Sequence, residues 1–484
     1  MADEKRAGIS ISAKAFLASF CILFALMVGA GILTRVIPSG RFDRAAAAGG
    51  RAGAATIDAG SYREVPHPDY PAWRWFTAPF EVFGSEDAPM ALTIIAFIAI
   101  VGGSFAVLQK AGILEAAIEA LRRRFGGRKR LLLALVTLFF MLIGALMGVF
   151  EEVIPLVPVA IALSISLGWD VFVGLGMSIL AVNFGFSAAI TNPFTIGVAQ
   201  RLAGVPVFSG AAYRVFVFVL IYGLYLSWLL WTAKRAERKS LAAGGGPAAL
   251  PSTAAAPALP SDLDPVRVGK GVRFFGFSAL ALLAVVMLVS LTKTFSDYSM
   301  PITAVLFLLA GCGSGFVAGL RGKKALKAFG EGILGFLPGV ALILMALGVK
   351  RIIVQGEIID TILNAARLAM KGSGPYGAAA LVYLVTLAVE FFVNSATAKA
   401  FLLMPILAPL ADLSNLTRQA AVQAYVFGDG FSNMVYPTNA VLLISLGIAG
   451  LSWPAWFRKT GLLQLGTFIV TMALLMLAVA IGYN

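Results

Sequence analysis

Charge is what this sequence has least of. Of 484 residues only 13% are Asp, Glu, Lys or Arg, while 59% are hydrophobic, and the mean hydropathy is +0.89. Soluble domains carry roughly 25% charged residues, so the composition excludes a water-soluble chain and predicts an all-α polytopic membrane protein. Histidine is nearly missing. His67 is the single one and sits in a polar stretch, which leaves no material for histidine-based metal or triad chemistry. The two cysteines, Cys21 and Cys312, lie in apolar runs and read as packing residues, not a disulfide framework. No G-x-x-x-x-G-K-[ST] phosphate loop occurs, so ATP-driven transport would need a separate subunit. The net charge of +14 does not point to nucleic acid. The basic residues cluster between apolar runs, as cytoplasmic loops require.

What is present is a series of apolar runs. Ala15 to Ile37 follows Lys5, Arg6 and Lys14; it is too long for a signal peptide and reads as a first crossing with the N-terminus inside. A loop (38–87) holding the flexible-looking AAAAGGRAGAAT leads to a crossing from Ala88 to Leu108. Lys110, Arg122, Arg123, Arg124, Arg128, Lys129 and Arg130 then mark the cytoplasmic side. Among them GILEAAIEALRRRF reads as an amphipathic surface helix, and GEIIDTILNAARLAM as a second one, outside by count. Further crossings run Tyr213 to Trp231, Phe274 to Leu291, Pro301 to Leu320, Ile333 to Leu347 and Gly461 to Ile481. Leu241 to Asp264, rich in Ala, Pro, Gly and Ser, is expected to be disordered. The divisions are a first transmembrane repeat (1–233), a cytoplasmic linker (234–271), a linking helix with its external loop (272–300) and a second, inverted repeat (301–484).

Four apolar segments are interrupted. GFSAAITNPFTIGVAQRLAG (Gly185 to Gly204) carries Thr191, Asn192, Pro193 and Thr195 at its centre, and GFSNMVYPTNAVLLISLGIAG (Gly430 to Gly450) carries Pro437, Thr438 and Asn439. Proline breaks the helix, and in lipid such a break needs protein or a water-filled cavity to supply partners. Matched broken helices in two halves point to a transporter's binding site. Leu131 to Gly168 is interrupted by Glu151 and Glu152, and Tyr376 to Leu410 by Glu390 and NSATAK (Asn394 to Lys399). Each of these runs is either two full crossings or a re-entrant hairpin. The charged loops agree with both; polar tips at matched positions favour hairpins. Gly112 and Gly356, Glu151 and Asn394, Gly185 and Gly430, Pro193 and Pro437, and Arg214 and Arg458 are 243 to 245 residues apart, which argues for duplication. The expectation is about nine transmembrane helices, two of them broken, two re-entrant hairpins, the N-terminus cytoplasmic and the C-terminus external.

The stretches GGSFAVLQKAGILEAAI, MGVFEEVIPLVPVAIALSISLGWD, VFSGAAYR and NSATAKAFLLMPILAPLADL, with the two broken helices, resemble the ion transporter superfamily. The nearer resemblance is to the C4-dicarboxylate anaerobic carrier-like family, and within it to YfcC-type basic amino acid antiporters. The resemblance implies a homodimeric secondary transporter of the plasma (inner) membrane, with a scaffold and a moving transport domain of elevator type.

The substrate-binding candidates are Glu151, Glu152, Thr191, Asn192, Pro193, Thr195, Asn394, Ser395, Thr397, Pro437, Thr438 and Asn439. Half-helix ends supply amides for carboxylates and carbonyls for cations, and the superfamily's Ser-Asn-Thr motifs imply a sodium site near Asn192 and Asn394. Glu151 and Glu152 depart from that neutral pattern. Asp429, Glu390 and Lys399 are coupling-ion or charge candidates, with Lys399 expected to snorkel or to pair with Glu390. Arg214 and Arg458 read as membrane-edge anchors. Four intramembrane acids against one base suit a cationic or zwitterionic ligand, so a small solute, an amino acid and a basic one by exchange, is expected. The alternative is a C4-dicarboxylate or short-chain carboxylate coupled to protons or sodium. A channel is the rival class; no enzyme activity and no cofactor beyond the coupling ion are expected.

Overall fold

The computed structural model describes residues 13–45, 56–57, 60–114, 116–117, 119–120, 126–242, 264–291, 298–320 and 322–484. Most of AAAAGGRAGAAT, most of the linker from Leu241 to Asp264, Lys5, Arg6 and the arginines Arg122 to Arg124 lie outside these residues, as does part of the first amphipathic segment.

Helices α1 (Ala13–Val36), α3 (Ala88–Lys110), α10 (Pro265–Leu291), α11 (Ser299–Val317) and α12 (Lys323–Gln355) pack together on one side. The short α2 (Arg74–Glu81) lies on α12. Among the described residues, eight helices are long and apolar enough to cross a membrane by length and composition. They include α1, α3, α11 and α12, together with α9 (Ala211–Ala242) and α18 (Trp453–Ala480). The remaining two, α4 (Lys129–Met147) and α15 (Ala396–Leu413), are arms of the two interrupted runs.

The matched segments of the two halves contain corresponding elements. In the first copy α4 ends at Gly148, and a 3-10 turn (Glu151–Leu156) starts α5 (Val157–Ser166). In the second copy α14 (Pro375–Glu390) ends before a turn that starts α15. The first broken helix is α6 (Val171–Leu175), a π segment and α7 (Ala181–Ser187), then a break, then a π turn from Pro193 and α8 (Val198–Leu202). The second is α16 (Arg418–Gly430) and a 3-10 turn, a break, and α17 (Ala440–Ala449). Both begin on side-chain caps: Asp170 accepts from Val173 N at 2.9 Å and Thr417 from Ala420 N at 3.2 Å. Such caps satisfy amides that a helix start leaves open.

Packing follows the two-fold pattern. The first arm of each interrupted run packs on the leading half of its own broken helix, α4 on α7 and α14 on α16. The second arm packs on the trailing half of the other copy's broken helix, α15 on α8 and α17 on α5. The two copies are therefore interleaved around one core, in which every residue of α16 from Gln419 to Gly430 is buried. Where the broken helices cross, Gly430 has no side chain because Ser187 fills the place; a Cβ there would sit 2.5 Å from the Ser187 Cα.

The second amphipathic segment forms α13 (Ile359–Met370), burying Asp360, Leu363, Ala366 and Met370 at helical spacing. The loop from 38 pins its start. Strands β1 (Gly40–Arg41) and β4 (Arg63–Glu64) pair, as do β2 (Arg44–Ala45) and β3 (Thr56–Ile57). Arg44 pairs with Asp360 at 2.7 Å, Phe42 N donates to the same carboxylate at 3.0 Å, and Arg41 pairs with Glu357.

Candidate functional site

The tips and breaks are built from each other's unsatisfied backbone groups. The last carbonyls of α4 have no partners within their own helix. The break supplies them: Ile190 N and Thr191 N donate to Ala145 O at 2.9 and 3.1 Å, and the Thr191 hydroxyl to Leu146 O at 3.0 Å. The second copy repeats the device with side chains. Thr438 donates to Phe391 O at 2.7 Å, Asn394 Nδ2 to Thr438 O at 2.9 Å and Tyr436 to Leu387 O at 3.0 Å.

Two asparagines restart the broken helices. Asn192 Oδ1 accepts from Phe194 N and Thr195 N at 2.9 and 3.3 Å; Asn439 Oδ1 accepts from Val441 N and Leu442 N at 3.0 and 3.2 Å. Their side-chain oxygens are thus engaged as N-caps. Gly148 makes the first tip possible. Its φ of +70° is left-handed, and a Cβ would fall 2.2 Å from Asn192 Oδ1. Gly148→Ala adds about 1–2 kcal/mol of backbone strain and forces the tip off the asparagine. Transport is expected to fall at least about tenfold, more than for Gly168→Ala, which is equally strained but uncrowded, with φ +84° and nothing within 4 Å of its Cβ. Equal transport rates for the two variants in vesicles would contradict the crowding argument.

Tips and breaks enclose a cavity of about 210 Å³. Glu151 and Glu152 line it from the first tip, Asn394, Ser395 and Thr397 from the second, and Thr438 and Asn439 from the second break. Thr191, Asn192, Pro193, Thr195 and Pro437 are not on its wall; the first break reaches it through Phe194. Ser395 and Asn439 cap α15 and α17, so two helix N-termini face the cavity. Helix α3 contributes Met90, Ile94 and Phe97, one face at helical spacing, and α12 contributes Lys350. Lys350 pairs with Asp87 at 2.6 Å. The sequence offered little to find it, because it follows the apolar run of α12 and sits beside Arg351, where a cation reads as an edge anchor.

The charge candidates lie elsewhere. Lys399 pairs with Glu390, as one of its two sequence readings had it, and also with Asp429 at 2.8 Å; all three are fully buried and off the cavity wall. Arg214 is a correction. Instead of anchoring at a membrane edge it is 1% exposed. It donates to the carbonyls of Ile190, Ser209 and Phe208 at 2.8, 2.6 and 3.0 Å and to the Tyr483 hydroxyl at 2.9 Å. It therefore caps the freed carbonyl of the first break. Arg458, the residue matched with it at 244 residues, is exposed. Among the described residues no group of His, Cys, Asp and Glu is arranged to hold a metal ion.

Residues 16–480 match the family described as C4-dicarboxylate anaerobic carrier (DcuC). The chain belongs to this carrier family. It is 28% identical over 510 residues, covering 96% of both chains, to the Escherichia coli (strain K12) protein named "Putative basic amino acid antiporter YfcC". Solved structures with the same coverage of this chain are more distant. The Alcanivorax borkumensis YdaH transporter shows 17% identity and a TM-score of 0.43, with 96% of this chain and 99% of that one covered. Neisseria gonorrhoeae MtrF shows 17% identity and a TM-score of 0.38, with 97% and 96% covered. As a DcuC-family carrier the protein is a multi-pass membrane transporter, and the cavity between the tips of its two interrupted runs is the candidate solute site.

Proposed function

We propose that this transporter exchanges basic amino acids across the inner membrane. One observation carries the reading: the cavity wall holds two adjacent glutamates, Glu151 and Glu152, together with the N-terminal turns of α15 and α17. Two neighbouring carboxylates repel each other in a low dielectric, and an ammonium or guanidinium group relieves that repulsion. Helix N-termini favour a carboxylate. An α-amino acid with a cationic side chain carries both charges. The relative with the name "Putative basic amino acid antiporter YfcC" supports the same substrate class. A dicarboxylate, the solute in the family's name, would meet the glutamates with like charge, and the cavity's lysine is already paired with Asp87.

In this reading the two interrupted runs are re-entrant hairpins, giving nine crossings with the N-terminus cytoplasmic and the C-terminus external. The interleaved hairpins and broken helices move as one body against α1, α3 and α10 to α12, the elevator form of alternating access, in a homodimer. Protons or sodium couple the exchange.

Counterflow in proteoliposomes tests the substrate. Vesicles loaded with unlabelled arginine are expected to accumulate labelled arginine and lysine transiently, and not labelled succinate or fumarate. Strong succinate counterflow with no amino-acid signal would replace the proposal with the dicarboxylate reading, and flux that never saturates would point to a channel.

A further inference from the structure

Behind the second hairpin tip lies a cluster that the solute site does not use. Glu390 ends α14, Lys399 lies in the first turns of α15 and Asp429 lies in the last turn of α16. Lys399 touches both carboxylates, Asp429 at 2.8 Å, and each of the three is 0% exposed. Two carboxylates face one ammonium. With all three ionised, the cluster would bury an uncompensated negative charge, which a low dielectric strongly disfavours.

Among the described residues the surroundings offer no second cation. Tyr425 of α16 donates its hydroxyl to Ala396 O, Tyr383 of α14 bonds Thr471 of α18 at 2.7 Å, and Tyr436 bonds Leu387 O. The other charged groups on the elements packed against α16, namely Arg201, Asp412, Arg418, Arg458 and Lys459, are exposed.

The repeat makes the cluster one-sided. In the register set by Gly185 and Gly430, Asp429 corresponds to Phe184, and within the 243 to 245-residue offsets Glu390 and Lys399 correspond only to apolar residues, among them Leu146 and Pro155. Conversely, Glu151 and Glu152 correspond to the neutral Asn394 and Ser395. One copy carries carboxylates on the cavity wall; the other carries a buried ion cluster. Glu390 and Lys399 flank the tip formed by Asn394, Ser395 and Thr397, and Asp429 precedes the break formed by Thr438 and Asn439. Every segment that joins the cluster therefore ends on the cavity.

We infer that the Glu390–Lys399–Asp429 cluster is the coupling site and that it carries one proton. Opened to one side, a carboxylate of the cluster forms an O–H bond with a proton from water. Opened to the other side, that bond breaks, the proton passes to water and the carboxylate returns to Lys399. Exchange of one proton for one monocationic amino acid moves no net charge. The direction of exchange rests on the basic amino acid reading; the proton itself does not.

Infrared spectroscopy of the purified protein at neutral pH reads the proton without any substrate. The wild type is expected to show a carboxylic-acid C=O band that disappears in both Glu390→Gln and Asp429→Asn, because either change leaves one carboxylate against one ammonium. A spectrum unchanged by both substitutions would overturn the inference. In vesicles, an inside-acid pH gradient is expected to drive arginine accumulation in the wild type. Both variants are expected to lose that drive at least tenfold while keeping counterflow at equal pH within about threefold. Drive by a sodium gradient with no response to pH would also overturn it. If no amino acid exchanges at all, the substrate proposal fails and the infrared result alone decides the proton. Should the variants not fold, proton movement on arginine addition to wild-type vesicles, followed with a pH dye, decides instead: no proton flux contradicts the inference.

Discussion

Replacing Glu151 and Glu152 together with glutamine is expected to lower arginine exchange by at least about a hundredfold while leaving the protein folded and monodisperse. The tip's fold rests on backbone features that glutamine keeps: the left-handed Gly148, the Ala145 and Leu146 carbonyls bonded to the break, and the apolar packing of Phe150 against Phe186. Glutamine also nearly preserves side-chain volume. What is lost is charge. A charged hydrogen bond in a poorly solvated site contributes about 1.5–3 kcal/mol, and each 1.4 kcal/mol is tenfold in affinity. Two such contacts therefore make a hundredfold loss the lower end of the expectation. Glu151 is half-buried and Glu152 9% exposed. Glu152 Oε2 also accepts from Phe150 N at 3.2 Å, so Glu151 has the freer carboxylate and its single substitution is expected to cost more exchange. Counterflow of labelled arginine, normalised to protein in the vesicles, measures this. Retained exchange in the double variant would remove the glutamates from the site.

Arg214→Met is expected to destabilise the transporter by at least about 3 kcal/mol. It removes four hydrogen bonds, those to Ile190 O and the Tyr483 hydroxyl buried and those to Ser209 O and Phe208 O part-buried, and each buried acceptor left without a donor costs about 1–3 kcal/mol. Arg214→Lys is expected to recover only part of the loss. One ammonium cannot reach Ile190 O, Phe208 O and Ser209 O with the planar fork that the guanidinium provides. Three neighbours limit the damage: Gln200 Nε2 and Gln419 Nε2 also donate to Ser209 O at 3.0 and 2.6 Å, and Tyr483 donates to Gly210 O at 2.9 Å. The Ile190 carbonyl has no such substitute, so the first break is where the fold should loosen. Thermal unfolding in detergent measures the effect. Arg458→Met, on the exposed counterpart, is the comparison and should change the midpoint little.

Legibility in the sequence followed one rule: features that interrupt an apolar run could be read, and features that depend on a second segment could not. Pro193, Pro437, Glu151 and Asn394 stand out because a polar or proline residue at membrane depth has to be explained locally. The match between the two halves was legible because both keep those interruptions at nearly one spacing. Their roles were harder. Asn192 and Thr191 are as polar as Asn394 and Thr438, yet they finish helix ends under the first tip instead of lining the cavity. Only the approach of Gly148 to Asn192 decides that. Arg214 was misread because a lone arginine beginning an apolar helix usually marks an interface; its carbonyl partners come from Ile190 and from Phe208 and Ser209, across a fold the chain does not announce. The Asp429 contact with Lys399 joins segments thirty residues apart, and Lys350 reaches the cavity only because α12 continues as one helix to Gln355.

Binding to the purified protein tests the central claim most directly. Labelled arginine added to wild-type protein in detergent, with unlabelled lysine, a neutral amino acid and succinate as competitors, isolates recognition from transport and coupling. Saturable arginine binding, displaced by lysine, not by succinate, and lost in the Glu151→Gln, Glu152→Gln double variant, is the predicted result. Saturable succinate binding that survives the double substitution, with none for arginine, would contradict it.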